Sequence, residues 1–257
     1  MPIHQYVTFF GTHTPWFGIC AGIALLAIGI WMIVSFRTLG IEERRQNEIL
    51  FGFPFMVLFG VLTAFALDAF FTGDWKTWTS QSERRFGFTY TGWVLGCMSF
   101  LMVYGRFTSF GSLYLLNFFL PAFALSQAVG RVGCFLGGCC YGIPCKFGFS
   151  YPKGSIPYER FADLSLFPVQ LMESLFLSLL FLLCTQTKVE RRASKYLIGV
   201  AIIRFSCDFF RGDDRGDIFG FDCISPQQVV SIVILFAGLV VNYVQRKSER
   251  RERHHFA

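Results

Sequence analysis

The chain has 257 residues, of which 53% are hydrophobic and 33 are phenylalanine, and its mean hydropathy is +0.48. That composition excludes a soluble domain of ordinary usage and predicts a polytopic membrane protein. The formal charge of +6 does not point to nucleic acid, because the lysines and arginines gather in short runs between apolar segments, as in the cytoplasmic loops of membrane proteins. Nine cysteines with no Cys-x-x-Cys pair give neither a complete disulfide framework nor a standard zinc site.

Residues 16–36 carry no charge and are long enough to cross a hydrocarbon core of about 30 Å. No lysine or arginine precedes Arg37, and the apolar run is too long for a signal-peptide core, so it is expected to remain as the first span. A basic loop with Arg37, Arg44 and Arg45 leads to a second span over 49–71, with Asp68 near its far end. After a polar stretch over 72–89, Tyr90-Thr91-Gly92-Trp93 opens a short third span that ends about Tyr104.

The fourth span, 113–128, is interrupted by Asn117 and Pro121 and delivers the chain into Gly130-Arg131-Val132-Gly133-Cys134-Phe135-Leu136-Gly137-Gly138-Cys139-Cys140-Tyr141-Gly142. Five glycines, three cysteines and an arginine between membrane-length segments predict a re-entrant loop that floors a site. Irregular backbone at that depth is tolerated only where protein or a water-filled cavity surrounds it.

Residues 143–166 are polar and turn-rich, as expected of a small lobe outside the membrane. A fifth span begins at Pro168, where a first-turn proline loses no hydrogen bond, and ends near Thr187. The densest internal basic loop, 188–195, precedes a sixth span over 196–210, and a charged turn over 211–222 precedes a seventh over 226–244. Placing the basic tail in the cytoplasm puts the short basic loops at 37–48, 105–112 and 188–195 there as well, with the amino terminus outside. The expectation is one all-α polytopic membrane domain over 1–257, with about seven transmembrane helices and a re-entrant Gly/Cys-rich loop. Residues 143–166 form its small extracytoplasmic lobe and residues 245–257 its basic cytoplasmic tail.

Arg204, Asp208 and Arg211 are spaced by four and three, which puts them on one helical face. An arginine at membrane depth costs about 2.5–3.5 kcal/mol on insertion scales, so such a stripe is expected to face a polar cavity or a partner. The alternative is an internal Arg204–Asp208 ion pair that fixes helix packing. Arg131 is flanked by small residues that leave room for a ligand. Guanidinium groups bind phosphate through paired, charge-assisted hydrogen bonds, so arginines converging near the outer leaflet suggest a phospholipid head group. The competing explanations are a snorkelling Arg131 and glycines that serve helix packing alone.

Cys134, Cys139, Cys140 and Cys145 lie within twelve residues and are read first as structural thiols or disulfides of an oxidising compartment, with thiol chemistry second. Their spacing matches no zinc pattern, and no metal is expected. Cys20, Cys97, Cys184 and Cys207 read as small buried apolar residues. Gln170 and Glu173 share a face at the start of the fifth span, and a glutamate there is a site candidate. His4, His13, His254 and His255 lie outside the spans, which leaves no histidine base for the site.

These residues resemble the prolipoprotein diacylglyceryl transferase family. The glycine-rich stretch is similar to its signature Gly-Arg-x-Gly-Asn-Phe-x-Asn-x-Glu-x-x-Gly, with Gly130, Arg131, Gly133, Phe135 and Gly142 in matching places. Phe167 to Glu173 resembles His-Pro-x-Gln-Leu-Tyr-Glu, Arg204 to Arg211 resembles Arg-Phe-x-x-Glu-Phe-Phe-Arg, and Ser225 and Gln228 continue the likeness. Thr91-Gly92 fits the family's His-Gly-Gly weakly. The signature asparagines become Cys134 and Gly137, its glutamate Cys139, and the histidines Thr91 and Phe167, so the chain is identified as a diverged member.

Members of that family have seven transmembrane helices and move the diacylglyceryl group of phosphatidylglycerol to the lipobox cysteine of exported preproteins, releasing glycerol phosphate. The resemblance implies catalytic roles for Arg131, Arg204, Asp208 and Cys139. It implies substrate-binding roles for Thr91, Cys134, Tyr141, Gly142, Gln170, Glu173, Arg211 and Gln228. No cofactor or metal is expected. The implied partners are phosphatidylglycerol or a similar anionic phospholipid, a lipobox-containing preprotein and the bacterial cytoplasmic (inner) membrane, with no nucleic acid. Two other classes stay open: a membrane thiol oxidoreductase using Cys134, Cys139, Cys140 and Cys145, and a catalytically silent phospholipid-binding paralogue.

Overall fold

Long apolar runs dominate the chain, and in a computed structural model each of the seven expected segments is helical; the structure describes residues 6–9, 12–72, 89–213 and 224–255. A two-stranded antiparallel ribbon of β1 (Tyr6–Phe9) and β2 (Thr12–Pro15) comes first, with Tyr6 opposite Pro15. It runs straight into α1 (Trp16–Thr38), followed by α2 (Glu43–Thr72), α3 (Tyr90–Tyr104) and α4 (Ser112–Gly137). Then come β3 (Pro144–Phe149), α5 (Ile156–Phe161), α6 (Val169–Gln186), a 3₁₀ turn (Val189–Arg191), α7 (Arg192–Asp208) and α8 (Pro226–His255).

Five stretches are long and apolar enough to cross a membrane: Gly18–Thr38, Glu43–Leu67, Ser112–Gly137, Val169–Gln186 and Pro226–Lys247. The 15-residue α3 is apolar but shorter, and the 17-residue α7 carries Arg192, Lys195, Arg204 and Asp208. Large apolar side chains such as Leu26, Ile30, Phe51, Leu58, Val233 and Phe236 are exposed, a surface suited to lipid rather than water. The protein is an all-α polytopic membrane protein. Most of the polar stretch over 72–89, most of the charged turn over 211–222 and the side chain of Asp68 lie outside the described residues.

The chain forms two compact units, Met32–Phe119 and a second made of Met1–Trp31 with Leu120–Ala257, and the divisions fall inside α1 and α4. In the first, α2 packs on α3 through small residues. A Cβ on Gly96 would collide with the Thr63 side chain, one on Gly60 would stand 2.5 Å from Cys97 Sγ, and one on Gly92 2.9 Å from Ala64 Cα. Close backbone approach of this kind is how membrane helices gain van der Waals contact without a hydrophobic driving force.

In the second unit α7 packs between α6 and α8. Gly199 leaves room for Leu180 of α6, and Gly238 of α8 for Ile198 of α7. Ser174 Oγ donates to the Ala128 carbonyl at 2.8 Å and Tyr196 OH to Gln127 Oε1 at 3.4 Å, tying α6 and α7 to α4. The segment between α4 and α6 forms a small lobe around Tyr141, Tyr151 and Leu166, with Phe161 against it. Phe135 of α4 meets Phe149 and Tyr151 edge-on, so the lobe is seated on the end of α4.

The glycine-rich stretch corrects one expectation. Residues 130–137 are no re-entrant loop but the continuous last turns of α4, and only residues 138–142 leave the helix. Glycines lower helix propensity by about 1 kcal/mol each, yet a helix satisfies its own backbone, which at membrane depth outweighs that loss. Where α4 ends, Gly138 takes a left-handed φ of 72°, with Cys139 N donating to the Cys134 carbonyl at 3.1 Å and Gly138 N to that of Phe135 at 3.3 Å. This is a Schellman stop.

Candidate active site

Three helices of the second unit each carry one ionised group to a common point. Arg131 comes from the end of α4, Glu173 from the first turns of α6 and Arg204 from α7. Arg131 Nε stands 2.9 Å from Glu173 Oε2, and Arg204 Nε stands 3.6 Å from Glu173 Oε1. All three are buried, at 7%, 3% and 9% exposure for Arg131, Glu173 and Arg204. Two guanidinium groups therefore share one carboxylate in a region of low dielectric, and among the described residues no second carboxylate pairs with either. Among these three groups two cations share one carboxylate, an arrangement that favours a further anion.

The Arg204–Asp208 ion pair does not form; Arg204 turns to Glu173 instead. Asp208, 1% exposed, accepts a hydrogen bond from Ser225 Oγ. Ser225 also caps α8: its Oγ accepts from Gln228 N at 3.2 Å, while Gln228 Oε1 accepts from Ser225 N at 3.0 Å, with Pro226 at the first helical position. This reciprocal Ser-x-x-Gln box is a helix-start signal legible in the sequence. Gln228, expected at a substrate, has its amide oxygen engaged in that cap.

Gln170, one turn before Glu173, is 1% exposed and donates from Nε2 to the Cys139 carbonyl at 2.8 Å and to Tyr151 OH at 3.2 Å. Its Oε1 is buried with no partner among the described residues. Tyr151 was missed at the sequence level, for nothing in the lobe's pattern marks it. Burial pushes its phenol up to about 12, against the lowering effect of the Gln170 bond.

The loop after α4 is held by backbone. Gly212 N donates to the Tyr141 carbonyl, Ile143 N to that of Phe210 and Phe167 N to that of Ile143, so residues 141–143 lie between the ends of α7 and the start of α6. A Cβ on Gly142 would stand 2.3 Å from the Phe167 carbonyl oxygen, which gives this glycine a packing reason. Gly130 and Gly137 differ: a Cβ there would meet nothing within 4 Å, and close packing does not explain them.

Arg211 does not join the shared carboxylate; its Nε donates to Asp213 Oδ1 at 2.9 Å and its Nη2 to Oδ2. Burial works against its charge, yet the Asp213 pair and nearby Cys140 hold its pKa above the ordinary value. Thr91 lies in the first turn of α3, in the other unit.

The eight described cysteines are free thiols, so no disulfide forms among them. The Sγ atoms of Cys134, Cys139 and Cys140 all lie within 4.8 Å of one another, and Cys139 Sγ donates to the Cys134 carbonyl at 3.7 Å. Hydrogen bonds from Cys134 and Cys139 hold the Cys140 thiol well below its ordinary range, with Arg131 and Arg211 acting the same way against burial. Cys145 is not in the trio. A cavity of about 530 Å³ opens beside Cys139 and Cys140, lined also by Tyr141, Glu159, Arg160 and Asp213 among others.

The family model described as prolipoprotein diacylglyceryl transferase matches residues 5–244. A phosphatidylglycerol-prolipoprotein diacylglyceryl transferase of Clostridium tetani is 32% identical over 165 residues, covering 62% of this chain and 65% of that one. One from Clostridium perfringens is 29% identical over 241 residues, 88% and 91% of the two chains. One from Dehalococcoides mccartyi is 26% identical over 253 residues, 93% and 92%. With nearly its whole length matched by that family model, the chain belongs to the prolipoprotein diacylglyceryl transferase family.

Proposed function

We propose that this protein transfers the diacylglyceryl group of phosphatidylglycerol, or a similar anionic phospholipid, to the lipobox cysteine thiol of an exported lipoprotein precursor. The observation that carries the reading is the pair of buried arginines sharing Glu173, a cationic excess at membrane depth suited to one phosphate. The family match gives no support to a thiol oxidoreductase.

In the reaction the acceptor sulfur attacks the glyceryl carbon bonded to the phosphate oxygen. A carbon–sulfur bond forms, the carbon–oxygen bond breaks with its electron pair passing to phosphate, and the thiol proton is taken up by a base. Glycerol phosphate leaves. Negative charge grows on the departing phosphate, and preorganised donors in a dry site stabilise such charge most. Arg131 and Arg204 fill that role, with Glu173 fixing their orientation. Gln170 Oε1, buried without a partner among the described residues, offers an acceptor to a hydroxyl of the glycerol head group.

Asp208, fixed by Ser225, orders the junction of α7 and α8 and is the candidate for taking up the thiol proton; Cys139, whose thiol donates to the Cys134 carbonyl, is a proton donor there and not a base. The cavity beside Cys139 and Tyr141 is the proposed entrance for the peptide thiol. Cys134, Arg211 and Gln228 complete the proposed substrate surroundings, directly or through the backbone they hold. The amino terminus is placed outside a bacterial inner membrane and the tail in the cytoplasm, on the strength of the basic loops.

The test is to incubate purified protein with labelled phosphatidylglycerol and a lipobox peptide and to follow the peptide by mass spectrometry. A diacylglyceryl adduct on the cysteine, with release of glycerol phosphate, is expected. Lipid that binds without any adduct supports the silent paralogue instead.

A further inference from the structure

Adjacent cysteines in an extended chain point apart and make poor joint ligands, but Cys139 and Cys140 do not lie in an extended chain. The Schellman stop at Gly138 folds Cys139 back onto Cys134, and Cys140 then adopts a left-handed φ of 53°, a conformation that costs a residue with a side chain and persists only where its surroundings enforce it. The two turns together gather the three sulfurs to within 4.8 Å of one another. We propose that Cys134, Cys139 and Cys140 form a three-thiolate binding site for a soft, closed-shell metal cation of the zinc(II) or copper(I) type. The proposal stands independently of the transferase reading.

The distances suit such an ion. Sulfur ligands sit about 2.3 Å from zinc, which spaces three sulfurs in a trigonal plane about 4 Å apart. Closing from the separations seen here needs rotamer changes of a fraction of an ångström at each thiol rather than movement of the backbone. A donor set made only of sulfur selects soft ions and excludes magnesium and calcium, which take oxygen ligands.

The surroundings suit it as well. Three thiolates around a singly or doubly charged ion leave net negative charge, and Arg131 and Arg211 lie close enough to interact with Cys140. The 530 Å³ cavity bordered by Cys139 and Cys140 gives a route of entry. An occupied site would join the last turn of α4, which carries Arg131, to the loop that holds Tyr141 and Gly142.

The experiment uses the full chain in detergent, reduced and freed of metal, titrated separately with zinc(II) and with copper(I) against a chromophoric competitor. Cobalt(II) serves as a spectroscopic probe of thiolate ligation. One ion per chain is expected for at least one of the soft ions, with thiolate-to-cobalt absorption and no competition from magnesium. Cys139→Ser and Cys140→Ser should each lose more affinity than the roughly 10–100-fold that removal of an outer-shell partner costs. Cys145→Ser and Cys184→Ser should bind as the unaltered protein does.

Should a serine variant fail to fold, alkylation of the unaltered protein decides the matter: bound metal must protect Cys134, Cys139 and Cys140 while leaving Cys145 reactive. Absence of stoichiometric binding by both soft ions would overturn the proposal. So would equal loss in Cys145→Ser, or protection that does not discriminate among the cysteines.

Discussion

Arg131 and Arg204 reach opposite oxygens of the same carboxylate, that of Glu173, from two helices separated by 73 positions in the sequence. The shared group ties α4, α6 and α7 together and, among the three groups, sets two cations against one anion. Breaking a buried pair by removing one member costs about 3–5 kcal/mol. Glu173→Gln, which keeps the shape and removes the charge, should therefore lower the melting temperature in detergent markedly. An anionic phospholipid should restore part of that loss and a zwitterionic one should not.

Gly142 and Gly130 make a matched pair of alanine tests. In Gly142→Ala the new methyl carbon would stand 2.3 Å from the Phe167 carbonyl oxygen, so the loop after α4 must shift and the protein should express poorly or melt early. In Gly130→Ala nothing lies within 4 Å, and the helix gains about 1 kcal/mol of propensity. Its melting temperature should hold or rise. Any loss of activity in Gly130→Ala then reports a ligand's need for the space beside Arg131.

Ser225 serves two groups at once, donating to Asp208 and accepting from Gln228 N. Ser225→Ala removes a helix cap and a donor to a buried carboxylate, together about 2–4 kcal/mol. Gln228→Ala removes only the return half of the cap and should cost about 1 kcal/mol. Thermal or chemical unfolding of the two variants distinguishes these sizes.

Tyr151 gives a pH signature. Its phenol is raised from an ordinary value of about 10 to about 12, so the neutral form is favoured in the folded protein. The contribution to stability is full below about pH 10 and is lost as pH rises through about 12. Tyrosinate absorbance should show a late-ionising component, and Tyr151→Phe should reduce it by about one phenol.

The spans were legible because long apolar runs have few alternatives in a folded chain, and α1, α2, α4, α6 and α8 answer to them. Arg131, Glu173 and Arg204 were legible one by one, since a charge inside an apolar helix is costly and stands out. Their meeting was not, because spacing within a helix says nothing of distances between helices. The same limit made Arg204 and Asp208 look like partners, although each turns to a different helix. The glycine-rich stretch misled for another reason: its composition suggests irregular backbone, yet eight of its residues complete α4. Once the helix stops at Gly138, the cysteine trio follows from turn geometry that spacing alone did not convey. The Ser225-Pro-Gln-Gln228 cap, by contrast, is written in the sequence.

The central claim is that Arg131 and Arg204 act on one phosphate. Lysine keeps the charge but not the planar two-pronged donor, and loss of one preorganised donor to a developing oxyanion costs about 10²–10³ in rate. The direct measurement is the rate of diacylglyceryl transfer from phosphatidylglycerol to a lipobox peptide by Arg131→Lys and Arg204→Lys, alongside their melting temperatures. The account predicts folded variants that each lose about two to three orders of magnitude in rate. Transfer at the unaltered protein's rate in both would contradict it.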